Sequence, residues 1–185
     1  MKFNRITKEQ FDEIQIEAGV LLNSFDPEEP NIVDSAIICA TTGGVTANCT
    51  PAYSDYGEDI DNVPNNALEL KRVDDYDCNF AFTSLGVSET SIKLNLGAAD
   101  IDPETHKITP RRYLKKEDFS DVYWVGERAD GGMVAIVLKN ALSTGGFSLK
   151  TNKKGKGQVA TTLTGHVSIE NPDEVPMEFW STSEV

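Results

Sequence analysis

Histidine, the side chain best suited to acid–base chemistry near neutral pH, occurs only twice in this chain, as His106 and His166. His106 lies in the turn-like stretch Asp102–His106, where we expect a solvated side chain. His166 lies late in a predicted strand, on the face opposite its apolar residues, which indicates a surface or interface position. No Gly-x-Ser-x-Gly elbow is present to hold a nucleophilic serine. The sequence therefore predicts no catalytic residue, and we expect the protein not to be an enzyme.

Metal ligands are scarce outside one acidic stretch. Asp55, Glu58, Asp59 and Asp61 offer the oxygen atoms that Ca²⁺ accepts. Their spacing does not match an EF-hand loop, because Gly57 stands at the third ligand position. The histidines and cysteines do not cluster at zinc-ligand spacing. A solvated acidic loop is the prediction, a calcium site is the alternative, and no metal or cofactor site is assigned.

Two glycine-containing stretches could in principle form phosphate loops. They are Thr41–Gly44 and Lys154–Gly157, and neither fits the G-x-x-x-x-G-K-[ST] pattern. Gln158 follows the second stretch and lacks the hydroxyl that would bind Mg²⁺. The lysines there indicate a solubilising or docking tip.

Three cysteines, Cys39, Cys49 and Cys78, give an odd count without a C-x-x-C pair. Ala36–Thr42 and Val45–Tyr53 are strand-like runs around Gly43-Gly44, which predicts a hairpin there. Such a turn places Cys39 opposite Cys49. A cross-strand disulfide is then geometrically conceivable, but packed free thiols are favoured in a reducing compartment.

The first half of the chain otherwise predicts a short helix and several strands. Thr7 and Gln10 form a capping-box pattern at the helix start. Residues from about 54 to 67 are polar and turn-rich, which predicts a long loop. The predicted strands are Ala18–Phe25, Leu68–Val73 and Asp77–Leu85, the last with Cys78, Phe80 and Phe82 on one face.

The stretch Ser88–Ala99 is ambiguous. Alternation of Ile92, Leu94 and Leu96 favours a strand. Ser88 as N-cap, Gly97 as a stop and the helical spacing of Ile92, Leu96 and Ala99 favour a helix. We predict a helix over about residues 88–97.

The second half predicts hairpins. Val122–Arg128 and Met133–Leu138 flank an Asp-Gly turn, in a register that pairs Trp124 with Val137 and Val125 with Ile136. The apolar run Met133–Leu138 predicts a strand covered on both faces. A second hairpin, Phe147–Thr151 with Gln158–Ser168, surrounds an exposed tip at residues 152–157. Its second strand has Val159, Leu163 and Val167 on one face. The tail, about residues 172–185, shows no clear periodicity.

These elements predict one domain over residues 1–185, a mostly-β sandwich or barrel-like fold with a flanking α-helix. The chain has 17 Lys and Arg against 30 Asp and Glu, a formal net charge of −13. Such a charge disfavours tight binding to nucleic acid or to an anionic membrane. No apolar run reaches membrane-spanning length and no signal-peptide core is present, so we expect synthesis in the cytoplasm. An acidic, self-assembling structural subunit fits these observations.

Several stretches along the chain share the sequence texture of one family. They read ATTGGVTANCTPAYSDYGEDIDNVPNN, LGAADIDPETHKITPRR, DFSDVYWVGERADGG, KNALSTGGFSLKTNKKGKGQ, LTGHVSI and VPMEF. Together they resemble the major tail proteins of long-tailed phages, most closely those of phages and prophages of Firmicutes. The resemblance runs from about Ile6 to Phe179.

The resemblance implies a tail-tube subunit located in the virion, with no catalytic residue. Copies would close into hexameric rings that stack into a hollow tube through which DNA passes without specific binding. Ser88–Leu96 would be the flanking helix, and Asp55–Asn66 would lie in or near the extended loop that reaches a neighbouring ring. The implied partners are copies of itself and the tape-measure, terminator and distal tail proteins.

Three other functions remain open. The nearest is another virion protein of similar fold, such as a tail terminator or head–tail connector. A carbohydrate- or receptor-binding β-sandwich would use exposed aromatic residues, with Tyr53, Tyr56 and Trp180 as candidates. A small metal-dependent enzyme would use the acidic stretch near Asp55.

Overall fold

The computed structural model describes residues 5–183 and is mostly β. The regular elements of this part of the chain are α1 (Lys8–Asp12), β1 (Gln15–Leu22), β2 (Thr41–Asp55), β3 (Lys71–Ser84), α2 (Glu89–Leu96), β4 (Ala99–Ile101), β5 (Ile108–Pro110), β6 (Ser120–Arg128), β7 (Met133–Ser143), β8 (Leu149–Lys150), β9 (Gln158–Thr164) and β10 (Met177–Thr182). The predicted fold class, mostly β with a flanking helix, is confirmed.

The large sheet is antiparallel, in the order β1-β6-β7-β9-β3-β2. β10 adds to β7 and β8 adds to β9, while β4 and β5 form a separate pair. We call β1, β6, β7 and β10 sheet I. We call β2, β3, β8 and β9, with the end of β7, sheet II. The strand β7 therefore belongs to both sheets.

Asn140 marks the position where β7 leaves sheet I for sheet II. Its φ of 46° is left-handed, which asparagine tolerates better than most residues. The Asn140 backbone N–H donates to Asp121 Oδ1 at 2.9 Å, and its side-chain amide donates to the His166 carbonyl at 3.0 Å. These bonds hold the bend between the two sheets.

The segment leading into β2 closes the sheet on itself. Ile38 N–H donates to the Leu21 carbonyl at 2.9 Å, which ties this segment to β1. Leu85 N–H donates to the Ala40 carbonyl at 2.8 Å, which ties it to the end of β3. The two ends of the strand order are thus joined, and the fold is barrel-like.

Two apolar clusters lie on opposite faces of sheet I. Neighbouring Leu21 and Leu22 are both buried, one in each cluster, as side chains alternate along a strand. β7 also contributes to both, which confirms the prediction for Met133–Leu138. Phe80, fully buried in the first cluster, contributes about 1.5–3 kcal/mol by leaving water. The first cluster contains Leu21, Cys78, Phe80, Phe82, Val122, Leu138, Ala141, Leu163 and Met177, and the second Leu22, Ala36, Val125, Met133 and Ala135.

The helix α2 confirms the prediction for residues 88–97. Ser88 Oγ accepts from the Ser91 N–H at 3.2 Å, and Gly97 with φ 70° ends the helix. Its buried residues are polar, however, namely Ser91 and Asn95. Asn95 Oδ1 accepts from Thr161 Oγ1 at 2.7 Å, which fixes α2 to β9. The apolar spacing that favoured the helix does not mark its buried face.

The predicted hairpin at Gly43-Gly44 is wrong, because β2 continues through it as one strand. The two glycines have φ of 79° and 80° and form a bulge between Thr42 and Val45. β3 is long enough to pair with β2 on both sides of this bulge. Cys39 precedes β2 and does not lie opposite Cys49; the residue opposite Cys49 is Cys78.

The prediction of two separate strands in the region of β3 is also wrong. Leu68–Val73 and Asp77–Leu85 are not separate strands, since β3 spans both after a 3-10 turn at Leu68–Leu70. The shared face of Cys78, Phe80 and Phe82 is confirmed by their burial.

The β6–β7 register differs by one residue, because Trp124 pairs with Ile136 and Val125 with Ala135. The loop therefore has three residues, Ala129, Asp130 and Gly131, rather than the expected two, and Gly131 takes the left-handed backbone with φ 82°.

The ends of several strands also differ from the predictions. β1 begins and ends three residues before the predicted Ala18–Phe25. β9 ends at Thr164, so His166 and Val167 lie beyond the strand, and Val167 is exposed rather than on the buried face. The tail contains β10, which the sequence missed because its pairing with β7 is a tertiary interaction. The predicted hairpin of β8 and β9 and the capping box of α1 are confirmed.

Candidate assembly site

The strands β2 and β3 extend beyond the rest of sheet II. β9 pairs with β3 only over Asn79–Ser84, whereas the β2–β3 ladder continues to the pair Asp55–Lys71. Residues Cys49–Asp55 therefore form a two-stranded ribbon about 20 Å long at ~3.3 Å per residue. We call residues 49–78, with the loop at the end of the ribbon, the arm. The long loop predicted at residues 54–67 forms the end of this arm, although Ser54 and Asp55 still belong to β2 and the connection continues to Leu70.

A two-stranded ribbon is marginally stable in water, so the arm needs additional contacts. At its base, Cys49 and Tyr76 pack against the first apolar cluster. Farther out, Ser54 Oγ hydrogen-bonds to Asp74, and Lys71 Nζ lies 5.9 Å from the centre of the Tyr53 ring. These contacts keep the ribbon extended.

Asp55 organises the loop at the end of the arm. Its Oδ1 accepts from the Gly57 N–H and its Oδ2 from the Asn66 N–H, each at 2.9 Å. Both carboxylate oxygens of the first candidate calcium ligand thus bind backbone amides. Glu58, Asp59 and Asp61, the other candidates, are exposed. Over residues 5–183, no group of three or more His, Cys, Asp or Glu side chains is arranged to hold a metal ion.

Apolar side chains are exposed on the arm. Leu68 is 85% exposed and Tyr56 60% exposed, although both have large apolar surfaces. Tyr53, Ile60 and Val73 are also about half exposed. Several exposed apolar groups on one projecting element are typical of a protein–protein contact.

Free strand edges provide a second kind of assembly surface. In the described part of the chain, β2 pairs only with β3 and β10 only with β7. Pro51 fits this position for β2, because proline has no N–H to donate and occurs on edge strands. Unpaired edge groups can extend a sheet into another subunit.

The outer face of sheet II is covered by short side chains. Its positions alternate with the buried ones on β2, β3 and β9, and all are exposed or half-buried. On β2, β3 and β9 two aspartates are the only charged residues of this surface, which we call the polar face. Its members are Thr42, Thr46, Asn48, Thr50, Ala52, Asp75, Asp77, Asn79, Ala81, Thr83, Gln158, Ala160, Thr162 and Thr164. Lys150 of β8 pairs with Gln158 and lies at the edge of this face.

A cluster of lysines lies at the end of sheet II opposite the arm. Lys150, Lys153, Lys154 and Lys156 are all exposed in the β8–β9 hairpin. None of them forms an ion pair with another described residue. We call residues 150–156 the lysine tip, and it is the tip that the sequence predicted.

Other basic residues are paired with acids. Arg111 lies 2.9 Å from Asp100 and 2.5 Å from Asp118, while Lys115 lies 3.0 Å from Asp100. The hydrogen bond from Lys115 lowers the pKa of the Asp100 carboxyl below its ordinary value. These ion pairs hold the β4–β5 segment in place.

The structure does not bring the two histidines together. His106 Nδ1 lies 2.7 Å from Glu89 Oε1 at the start of α2, and its side chain is exposed as predicted. The His166 ring packs edge-on against Phe119 with centres 5.3 Å apart.

The aromatic residues considered for carbohydrate binding lie on different elements. Trp180 packs against the second apolar cluster, whereas Tyr53 and Tyr56 lie on the arm.

The sequence placed Asp55–Asn66 in an extended loop through the resemblance, but it did not predict the two-stranded ribbon of the arm or the polar face. The ribbon was missed because the residues of β2 are predicted as two strands, and those of β3 likewise. Alternation of small polar residues with apolar ones along β3 and β9 was the signal that would have found the polar face.

Comparison with known proteins adds no assignment. No family model matches the chain, and no curated protein matches it significantly in sequence. Among residues 5–183, no helix has the length and apolar character needed to cross a membrane.

Proposed function

We propose that this protein is the structural subunit of a phage tail tube, in which copies form stacked rings around a conduit for DNA. The observation that carries the proposal is the arm, which projects about 20 Å beyond its own sheet and exposes Leu68 at its end. The resemblance to major tail proteins supplies the hexameric ring and the virion location. It also supplies the tape-measure, terminator and distal tail partners.

The arm supports assembly because its exposed apolar groups gain a partner only from another molecule. An arm on one copy and a receiving surface on the next make a heterologous contact, which joins different patches. Such contacts build a ring when their rotation closes and a filament when it does not. A tube of stacked rings uses both kinds.

The free edges support the ring. Pairing the outer edge of β2 with an edge of a neighbouring copy would join the sheets of successive subunits. The polar face would then point in one direction around the whole ring. We propose that it lines the bore.

The polar face suits a DNA conduit because none of its positions on β2, β3 and β9 carries the Lys or Arg that would bind phosphates tightly. Its short side chains are uncharged apart from Asp75 and Asp77. Phosphate binding depends on clustered Lys and Arg that displace counterions. Electrostatic effects extend only about 8–10 Å in physiological salt, so the residues of the wall itself decide whether DNA slides freely.

Electron microscopy of the purified protein at high concentration tests the proposal. We expect striated hollow tubes. Isolated closed rings would instead favour a terminator or connector, and a monomer under all conditions would contradict self-assembly.

A variant separates the arm from the rest of the molecule. Leu68→Asp should abolish tubes without unfolding the monomer, because this side chain is already in water. Leu114→Asp is the matched control, since Leu114 is also exposed but lies between β5 and β6. Equal assembly of both variants would show that the arm is not the contact.

A further inference from the structure

A groove lies at the base of the arm, between β3 and the segment that leads into β10. Its volume is about 270 Å³. Val73 and Tyr76 line one side, and Val167, Val175 and Pro176 line the other. Carboxylates surround these apolar residues. We call this the acidic groove.

The carboxylates of the acidic groove come from both sides. Asp74 and Asp75 belong to β3, and Asp173 and Glu174 belong to the opposite segment. Glu174 is bound to Lys139, but Asp74, Asp75 and Asp173 have no ion-pair partner among the described residues. An apolar groove with a negative rim fits a long cation whose methylene stem packs inside while its charge meets the rim.

The lysine tip has the complementary chemistry. Its four exposed lysines are free of ion pairs in the described structure, and residues 147–158 contain no Asp or Glu. Two exposed apolar residues, Phe147 and Leu149, lie beside it. In a chain of net charge −13, this tip is the natural counterpart of an acidic surface.

The tip cannot reach the groove of its own chain. The pairings Ser84–Val159 and Leu149–Val159 place the tip at one end of sheet II. The groove lies at the other end, beyond the pair Asn79–Thr164. On β3 the positions from Tyr76 to Ser84 span about 26 Å at ~3.3 Å per residue. Contact between tip and groove therefore requires two molecules.

We infer that the lysine tip of one copy docks in the acidic groove of a second copy. Because the two surfaces lie at opposite ends of sheet II, each copy uses both, and the contact repeats head to tail. This inference rests on the proposed self-assembly and assigns residues to the contact between stacked rings. The arm projects from the groove end, so the same contact brings it against the next copy.

Charge reversal with rescue tests the docking. One variant reverses the tip with Lys153→Glu, Lys154→Glu and Lys156→Glu. The other reverses the groove with Asp75→Lys and Asp173→Lys, which leaves the hydrogen bond between Ser54 and Asp74 in place. We expect each alone to raise the concentration needed for assembly at least about tenfold in low salt, because like charges then face each other. The combined variant should return to within about threefold of the original protein. Circular dichroism checks that every variant is folded.

A matched control uses a different acidic cluster. Glu28→Lys and Glu29→Lys add the same positive charge on the exposed segment between β1 and β2, away from the arm, and they should not rescue the reversed tip. The inference is overturned if the groove variant does not restore assembly of the reversed tip, or if the control restores it equally well. Neither result contradicts the proposal that the original protein forms tubes.

Cross-linking gives a result even if no tubes form. A zero-length carbodiimide should join the tip to the groove between copies, for example Lys154 to Asp173, in a mixture of isotopically light and heavy protein. Absence of such mixed links overturns the docking. Presence of links without tubes supports the docking and counts against the proposed tube.

Discussion

The Sγ atoms of Cys49 and Cys78 lie 3.3 Å apart, on directly opposed positions of β2 and β3 at the base of the arm. The thiols are free, with the Cys78 side chain buried and Cys49 half-buried. Pro51 lies on the same face of β2 as Cys49 and is paired with Tyr76. Because proline has no N–H to donate to β3, the pair Pro51–Tyr76 must be of the closer, non-hydrogen-bonded kind, and so must the pair Cys49–Cys78 two residues before it. The two cysteines are thus placed to form a bond across the arm.

Oxidation with a small disulfide reagent should join Cys49 to Cys78 and leave Cys39 free. Burial and the neighbouring Cys49 thiol raise the pKa of Cys78 to about 12. Cys49 should react first, because it is more accessible than the buried Cys78, whose thiol stays protonated near neutral pH. Cys78 should then attack the mixed disulfide on Cys49 and release the reagent as a thiol. Peptide mapping after alkylation identifies the bond, and Cys78→Ser should abolish it. A bond that contains Cys39 would contradict the observed register.

Gly19→Ala should destabilise the fold by about 2–4 kcal/mol, because Gly19 combines a left-handed backbone with close packing. Its φ is 67°, and a Cβ there would lie 2.6 Å from the Val125 carbonyl oxygen. Gly146→Ala is the control, since its φ is 69° and the space around it is open. That variant should cost about 1–2 kcal/mol from backbone strain alone. Urea unfolding measures both, and equal losses would refute the packing argument.

Asn95→Ala should cost about 1–3 kcal/mol, because it leaves the buried Thr161 hydroxyl without its acceptor. The Asn95 side chain also donates to the Ser91 carbonyl at 2.8 Å. Adding Thr161→Val to Asn95→Ala should cost less than the sum of the two single changes, since they remove the same bond. Additive losses of unfolding free energy would show that the bond does not couple α2 to β9.

The free energy of unfolding should decrease as the pH falls below about 4.5, the ordinary pKa of a glutamate carboxyl. The hydrogen bond from Lys139 lowers the pKa of Glu174 from 4.5. A carboxyl with a lowered pKa in the folded state stabilises the fold above its ordinary pKa, and this effect is lost as the pH falls through the folded pKa. Lys139→Met should weaken this acid dependence, measured as the midpoint of thermal unfolding against pH. An unchanged profile would mean that the pair contributes nothing in solution.

Lysines on the polar face should make assembled tubes retain DNA. Thr46→Lys, Thr50→Lys and Ala160→Lys place three cations on exposed positions of this face. Ser24→Lys, Asn31→Lys and Ser35→Lys add the same charge on the exposed segment between β1 and β2. DNA inside the tube should be released slowly only from tubes of the polar-face variant. High salt should remove the difference in release rate between the two variants. Equal release from both sets would mean that the polar face does not line the bore.

Local features were predictable where neighbouring residues decide the structure. The capping residues of α1 and α2 and the exposed lysine tip follow from short-range chemistry. The predicted hairpin at Gly43-Gly44 was wrong because a pair of glycines is compatible with a bulge as well as with a hairpin turn. The choice between them depended on β3, which is distant in sequence and pairs with β2 across the bulge.

The sequence by itself determined the mostly-β class, the acidic charge, the flanking helix and the lysine tip, because these depend on composition and on alternation within single elements. Only the tertiary structure decided that Cys49 faces Cys78, that β10 joins β7, and that the acidic groove and the lysine tip lie at opposite ends of sheet II. The physical reason is that strand pairing is non-local. The register of a pair depends on both strands and on the sheet that surrounds them, and neither strand specifies it alone.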